Sequence, residues 1–400
     1  MREVPPTAGL ALRWRDFLAA DPRPLEEGLA EFLGAPRLRV ECSGTAALVV
    51  ALTALKRRST RHRVIVPAYT CPLVAMAVLH CGLLPVPCDV RSGDFQFDPG
   101  PLAGLCDGEA LAVIPTHLGG RVADLEPVRE AARRNGTTVI EDAAQALGAF
   151  RHDERQAEAS EAVFYSLAIG KGLTIYEGGI LLARNEELRQ ELDRTSAEIS
   201  AHRPGQELWR CLQLAGYVAL YRPSALRFVY GGPLRRALRR ENLIEAVGDD
   251  FSGPIPLHRV SHWRKAVGAN ALPRLPVFLR ALHSQALRRL GRLTTIQNVS
   301  VLGSSPAGRG TWPFFMVLMP TSRARDAALK NLWGAGLGVS RLYIHALADY
   351  PYLAGRLEQA DTPNARDLAA RMLTVSNSLW LEDAEFDHVV LVLAAAAASA

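Results

Sequence analysis

The sequence predicts an α/β fold, with a mostly parallel sheet covered by helices and a smaller α/β domain after it. Three observations carry this expectation. Between about 38 and 185, short β-branched runs alternate with stretches of helical spacing. From 186 to 300 the chain is rich in Arg, Leu and Ala and reads as helical. From about 300 a strand–helix–strand texture returns. The 400 residues suffice for two or three domains and a sizeable core.

Taken in order, SGTAALVVALTAL (43–55) is a turn leading into an amphipathic helix. RVIVPA (63–68) is a strand, PLVAMAVLHCG (72–82) a helix stopped by Gly82, and LLPVPCDV (83–90) a strand ending near Asp89. LAVIPTH (111–117) and TTVIED (137–142) are strands on either side of the helix DLEPVREAARRNG (124–136). Farther on, WPFFMVLM (312–319) and GVSRLYI (338–344) read as strands around the helix RARDAALKNLWGAG (323–336). Ala365 to Met372 and Asp383 to Ala396 read as closing helices, and the tail AAAAASA as a frayed end.

Composition excludes several classes. Apolar residues make up 48% and charged residues 22%, as in ordinary globular chains. The net charge of +5 is spread along the chain with no dense basic block, so nucleic acid is not an expected partner. None of the six cysteines forms a C-x-x-C pair, so no metal site is expected. The N-terminal apolar run is too short and interrupted for a signal peptide, and no uncharged stretch reaches the ~20 residues of a membrane span. A cytoplasmic protein with reduced thiols follows as the expectation.

Ligands of open α/β sheets bind at the carboxyl ends of strands, and three such ends carry unusual residues. Ser43, Gly44 and Thr45 open a helix whose free amides favour an anion, although Ser43 is equally an ordinary N-cap. Asp142 follows a β-branched strand among small apolar residues, although it could simply cap a helix over AAQALGA. Lys171 is one of only four lysines among 46 basic residues and sits between Gly170 and Gly172. Apolar surroundings lower an amine's pKa, as Schiff-base chemistry requires, although a loop lysine would read the same way. Together they supply a phosphate cradle, an acid for a pyridine nitrogen and a lysine for an aldehyde, the three groups that pyridoxal 5'-phosphate needs. SGTAAL lacks the G-x-G-x-x-G spacing of a nicotinamide site.

The stretches SGTAAL, VIVPAYTCPLVAMAVLHCGLLPVPCDV, IPTHLGGRVADLEPV, VIEDAAQALGA and YSLAIGKGLTIYEGGIL cover about 40–185. In that order and spacing the chain resembles the DegT/StrS-type sugar aminotransferases, which have the aspartate-aminotransferase-like fold (fold type I). The resemblance implies a large cofactor-binding domain over 1–255 and a linking helix with a small α/β domain over 256–400. It implies that Lys171 carries pyridoxal phosphate and moves the proton at the donor carbon, while Asp142 pairs with the ring nitrogen. Gln145 is expected near the ring hydroxyl, Cys71 against the ring, and Ser43, Gly44, Thr45 and Ser166 around the phosphate. Tyr69, Arg259, Tyr343 and His345 are candidate substrate residues. The implied substrates are an amino-acid donor, glutamate foremost, and a keto-sugar linked to a nucleotide, in amino-sugar or cell-surface polysaccharide biosynthesis. A homodimer is implied too. Two alternatives share the fold: a sugar dehydratase, which typically has His where Lys171 stands, and a cofactor-binding regulatory protein without turnover.

Four departures from the family pattern stand out. Cys71 occupies a position that is usually aromatic, which leaves open whether the ring packs on this thiol or on Tyr69, and Gly170 occupies one that is often Thr. The family's Asn-x-Arg-x-Ser loop aligns with Leu257, Arg259 and Ser261, so its asparagine is missing. Ahead of it lies an atypical Arg-rich helical insert at about 205–245. Its stretch 207–240 has two readings: packing at the domain or dimer interface, or peripheral contact with an anionic membrane.

Overall fold

The computed structural model describes residues 2–18, 23–151, 160–306 and 308–399. The end of the N-terminal run (19–20) and Ala400 of the tail lie outside them. The main sheet has seven strands: β1 (Arg39–Glu41), β2 (Arg63–Pro67), β3 (Leu84–Cys88), β4 (Ala110–Val113), β5 (Thr138–Asp142), β6 (Ala162–Ser166) and β7 (Gly179–Ala183). Their spatial order is β1-β7-β6-β5-β4-β2-β3. From β6 across to β3 every pair is parallel, and only β7 and β1 run antiparallel to their neighbours. This is the α/β class that the alternating runs predict.

Burial on both faces explains why the strands read as unbroken apolar runs. Val64 and Val66 point into a core shared with α1 (Gly44–Lys56) and α2 (Pro72–His80). Ile65 points the other way, into a core with Val113, Val139 and Val128. All three β2 residues are fully buried. The helix over 126–135 ends on Gly136, whose φ of 64° closes it in the left-handed conformation expected of an Asn-Gly stop.

The second sheet is antiparallel, with strands β8 (Ser300–Val301), β9 (Phe314–Leu318), β10 (Val339–Ser340) and β11 (Met372–Ser376) in the order β10-β11-β9-β8. Two expectations change here. The run 338–344 makes only a two-residue strand before turning. The helix expected over 365–372 spans Pro363–Arg371 and passes without a turn into β11, a central strand absent from the sequence reading. With no glycine or proline at that junction, the change from helical to strand spacing has no punctuation.

The insert is helical, as expected: α3 (Pro204–Leu220), a short turn of helix at Pro223–Leu226, and a helix over Gly232–Arg239. It is followed by α4 (His262–Ala271) and the long helix Leu275–Leu293.

Candidate active site

The carboxyl ends of β2, β4, β5 and β6 open into one cavity of about 670 Å³, together with the start of α1. Its walls include Ser43, Gly44, Thr45, Cys71, Asp142, Gln145, Ser166, Lys171 and Tyr343. Residues from five separate sequence stretches therefore meet at one site.

The anion end is built from two close elements. Ser43 caps α1 by accepting from the Ala46 amide at 3.0 Å, which leaves the Gly44 and Thr45 amides at the helix mouth without intrahelical acceptors. A Cβ on Gly44 would lie 3.2 Å from the Ser166 Cβ, so this glycine lets the helix start press against the end of β6. Ser166 Oγ accepts from the Ala168 amide at 3.3 Å and can still donate its hydroxyl proton.

Asp142 ends β5 and is buried. No helix follows it: 143–149 forms turns, which sets aside the helix-capping alternative. Its Oδ1 accepts the Ala144 amide at 3.0 Å. Burial pushes this carboxyl above the usual carboxylate range, against the pull of the Ala144 amide, Lys171, His117 and Thr116.

Lys171 follows Gly170, whose φ of 77° lies in the left-handed region and accounts for glycine at a position that is often Thr in the family. Its loop is held by the N-terminal segment, where the Leu10 amide donates to the Gly172 carbonyl at 3.1 Å. Burial lowers the Lys171 pKa, while Cys71 and Asp142 raise it by smaller amounts. Its amine has no hydrogen bond or salt bridge to any described residue. A buried carboxyl and a half-buried amine thus face one cavity without pairing directly, and the donor set fits pyridoxal phosphate.

Tyr69 and Cys71 resolve a choice that the sequence left open. Cys71 lines the cavity, and burial pushes its thiol up to about 12, so it is a neutral apolar surface. Tyr69 lies behind it, buried, with its hydroxyl 3.3 Å from both the backbone N and O of Tyr343. It supports Tyr343 and does not line the cavity. Gln145 links the two halves of the site: its Oε1 accepts from the Gly119 amide at 2.6 Å, and its Nε2 donates to the Tyr343 hydroxyl at 3.3 Å. His345 packs edge-on against Tyr350 and is absent from the cavity lining. Arg259 is exposed, with its guanidinium on the Ser200 and Ala197 carbonyls, also outside the lining. Ser261 caps α4 through the Arg264 amide.

Two contributions escape sequence reading. Thr116 and His117, after β4, line the cavity beside Asp142. The His117 backbone amide donates to the Asp142 carbonyl at 2.8 Å. The His117 ring accepts the Ala123 amide on Nδ1, which places its proton on Nε2, 2.7 Å from Glu141. Thr116 and His117 both lie in IPTHLGG, a stretch that carries the strand and the family resemblance but no site role in the sequence reading. The second is the mouth segment Val247–Pro256, anchored by buried Asp249. Asp249 accepts from the Ile344 amide at 2.9 Å and the Tyr350 hydroxyl at 2.6 Å.

Residues 20–217 match the family model described as the DegT/DnrJ/EryC1/StrS aminotransferase family. The chain is 24% identical over 378 residues to a protein named GDP-perosamine synthase from Caulobacter vibrioides, covering 92% of this chain and 88% of the relative. It is also 24% identical over 375 residues to the spore coat polysaccharide biosynthesis protein SpsC of Bacillus subtilis, covering 91% and 86%. Among solved structures, Helicobacter pylori PseC, described as an aminotransferase involved in pseudoaminic acid biosynthesis, superposes with a TM-score of 0.75 over the whole of both chains at 16% identity.

Proposed function

The chain belongs to the DegT/DnrJ/EryC1/StrS aminotransferase family, whose cofactor is pyridoxal phosphate, and on that premise we propose that it aminates a nucleotide-linked keto-sugar with an amino acid, glutamate foremost, as donor. One observation carries the reading: the amides at the start of α1, Asp142 and Lys171, which has no hydrogen-bond partner among the described residues, share a single cavity. The relatives named for GDP-perosamine and spore coat polysaccharide support a sugar acceptor and a polysaccharide pathway.

When bound, pyridoxal phosphate supplies an aldehyde that condenses with amines and a ring that takes up an electron pair. The protein's residues do the rest. The Gly44 and Thr45 amides with the Ser43 and Ser166 hydroxyls would hold the phosphate. The Asp142 carboxylate would accept the ring N–H and keep it protonated. Lys171 Nζ takes the proton from the donor's Cα, and in the second half-reaction gives one to the sugar's former ketone carbon. Gln145 and Tyr343 face the same space from the other wall. A lysine at 171, where related dehydratases typically have histidine, favours transamination over loss of a hydroxyl.

A cytoplasmic homodimer completes the reading. The exposed Arg259 reaches no part of this chain's cavity, which suits a residue that serves a second copy. The test of acceptor class is direct. The protein is incubated with pyridoxal phosphate, glutamate and a set of GDP-, UDP- and dTDP-linked keto-sugars, and the products are read by mass spectrometry. An amino-sugar nucleotide formed together with 2-oxoglutarate supports the proposal. Donor deamination with no nucleotide sugar aminated rejects the acceptor class.

A further inference from the structure

Helix α3 buries one side and leaves the other bare. Leu214 and Tyr217 face inward, and Glu207 ties its first turn to Arg264. On the outer side, Leu208 is 63%, Trp209 58% and Leu212 58% exposed, followed by Leu220 one helical stripe farther on. The segment after α3 adds Phe228 and Val229, also exposed. Where the stripe ends, an apolar groove of about 520 Å³ runs between Leu220, Tyr221 and Val229 on one side and Pro5 and Pro6 on the other. It reaches Gly170, next to the catalytic lysine.

The charge on this part of the chain has one sign. Residues 203–240 contain eight arginines, no lysine, no aspartate and one glutamate. That glutamate, Glu207, is buried against Arg264 and His258. Arg210 is paired with Glu177 and Arg235 with Glu3. The other six, Arg203, Arg222, Arg227, Arg236, Arg239 and Arg240, are exposed and have no salt bridge among the described residues. Arg222 and Arg227 flank the apolar stripe, with the Arg227 guanidinium over the Phe228 ring at 4.5 Å.

We propose that this face docks the protein onto an anionic phospholipid surface. Exposed Trp, Phe and Leu side chains enter the boundary between headgroups and acyl chains, and guanidinium groups bind the phosphates above them. A second copy of the chain is a poorer occupant. A twofold contact would set the same arginines against each other, with no acidic residue on 203–240 free to pair with them. The inference rests on this surface alone and is independent of the substrate reading.

Flotation of the full, cofactor-loaded chain tests it. Vesicles of phosphatidylcholine mixed equally with phosphatidylglycerol are compared with vesicles of phosphatidylcholine alone. The protein rises with the anionic vesicles, stays behind with the neutral ones, and is released by salt. Arg222→Gln with Arg227→Gln weakens vesicle binding by roughly 25-fold, at about fivefold per arginine. Trp209→Ser with Phe228→Ser abolishes flotation while the bound cofactor's visible absorbance and the turnover are kept. Three results would overturn the proposal. One is no flotation with the anionic vesicles. Another is equal flotation of the arginine variant. The third is a wild-type dimer that Trp209→Ser with Phe228→Ser converts to monomer, which assigns the face to a second copy.

Discussion

Lysine and arginine both carry positive charge, yet only lysine can shed its proton inside a fold and bond covalently to carbon. On the proposed reading, that difference decides the chemistry at position 171. Lys171→Arg keeps the charge near Asp142 but removes both the nucleophile and the proton carrier. It should lower turnover by at least about 10⁴-fold, the upper end of what one positioned acid–base group supplies. Protein that still binds pyridoxal phosphate but turns over at wild-type rates would contradict the assignment. The lowered pKa of Lys171 also sets a pH dependence. Below that pKa the amine is protonated and cannot take the Cα proton, so the rate rises with pH through the lowered value and levels off above it. Lys171 was legible as a candidate in the sequence because the residue stands out chemically in an arginine-rich chain, and the fold places it on the cavity wall. The choice between Tyr69 and Cys71 was not, because it depends on which side of one turn faces the cavity.

At the scale of elements, sequence reading succeeds where burial writes a pattern. The strands β2, β4 and β5 are short apolar runs because helices cover both faces, and Asp142 and His117 inherit their positions from the ends of β5 and β4. It fails where the pattern is silent. Strand β11 follows a helix with no punctuating residue, and the mouth segment Val247–Pro256 has no period at all. Within that segment the Asp249 side chain is one anchor, beside the Tyr352 hydroxyl that donates to the Asp249 carbonyl at 2.7 Å. Asp249→Ala would leave the Tyr350 hydroxyl proton without its buried acceptor, while the Ile344 amide keeps the Tyr350 oxygen at 3.1 Å. One unsatisfied buried hydroxyl should destabilise the fold by about 1–3 kcal/mol. The loosened mouth should raise KM for the sugar more than it lowers kcat. Thermal denaturation and steady-state kinetics read the two effects, and a change in kcat alone would count against the mouth role.

For the whole molecule, the insert and the catalytic loop share a junction. Buried Arg264 of α4 bonds to Glu207 of α3 and to the Ile175 carbonyl at 3.2 Å, just beyond Lys171. Burial pushes the Glu207 carboxyl up, but the bonds from His258, Arg264 and the Ser261 amide outweigh it and hold its pKa well below the usual range. The carboxylate therefore contributes stability that is fully present above the ordinary glutamate pKa and is lost as pH falls through the lowered one. Glu207→Gln, which leaves Arg264 buried without its counter-charge, should cost about 3–5 kcal/mol at neutral pH in urea denaturation. The gap to wild type should narrow in acid. A variant as stable as wild type at pH 7 would remove this junction from the account. The insert's outer face was readable as charge and apolarity in the sequence, but only the fold shows which of its arginines are already paired.

The central claim concerns the complete site, and one spectrum tests it most directly. Purified protein supplied with pyridoxal phosphate should show the visible absorbance of a lysine-linked cofactor, and glutamate alone should convert it to the ultraviolet band of the aminated form, with one 2-oxoglutarate released per site. Lys171→Arg should show neither. A glutamate-insensitive spectrum in the wild-type protein would contradict the account and leave a cofactor-binding protein without transamination.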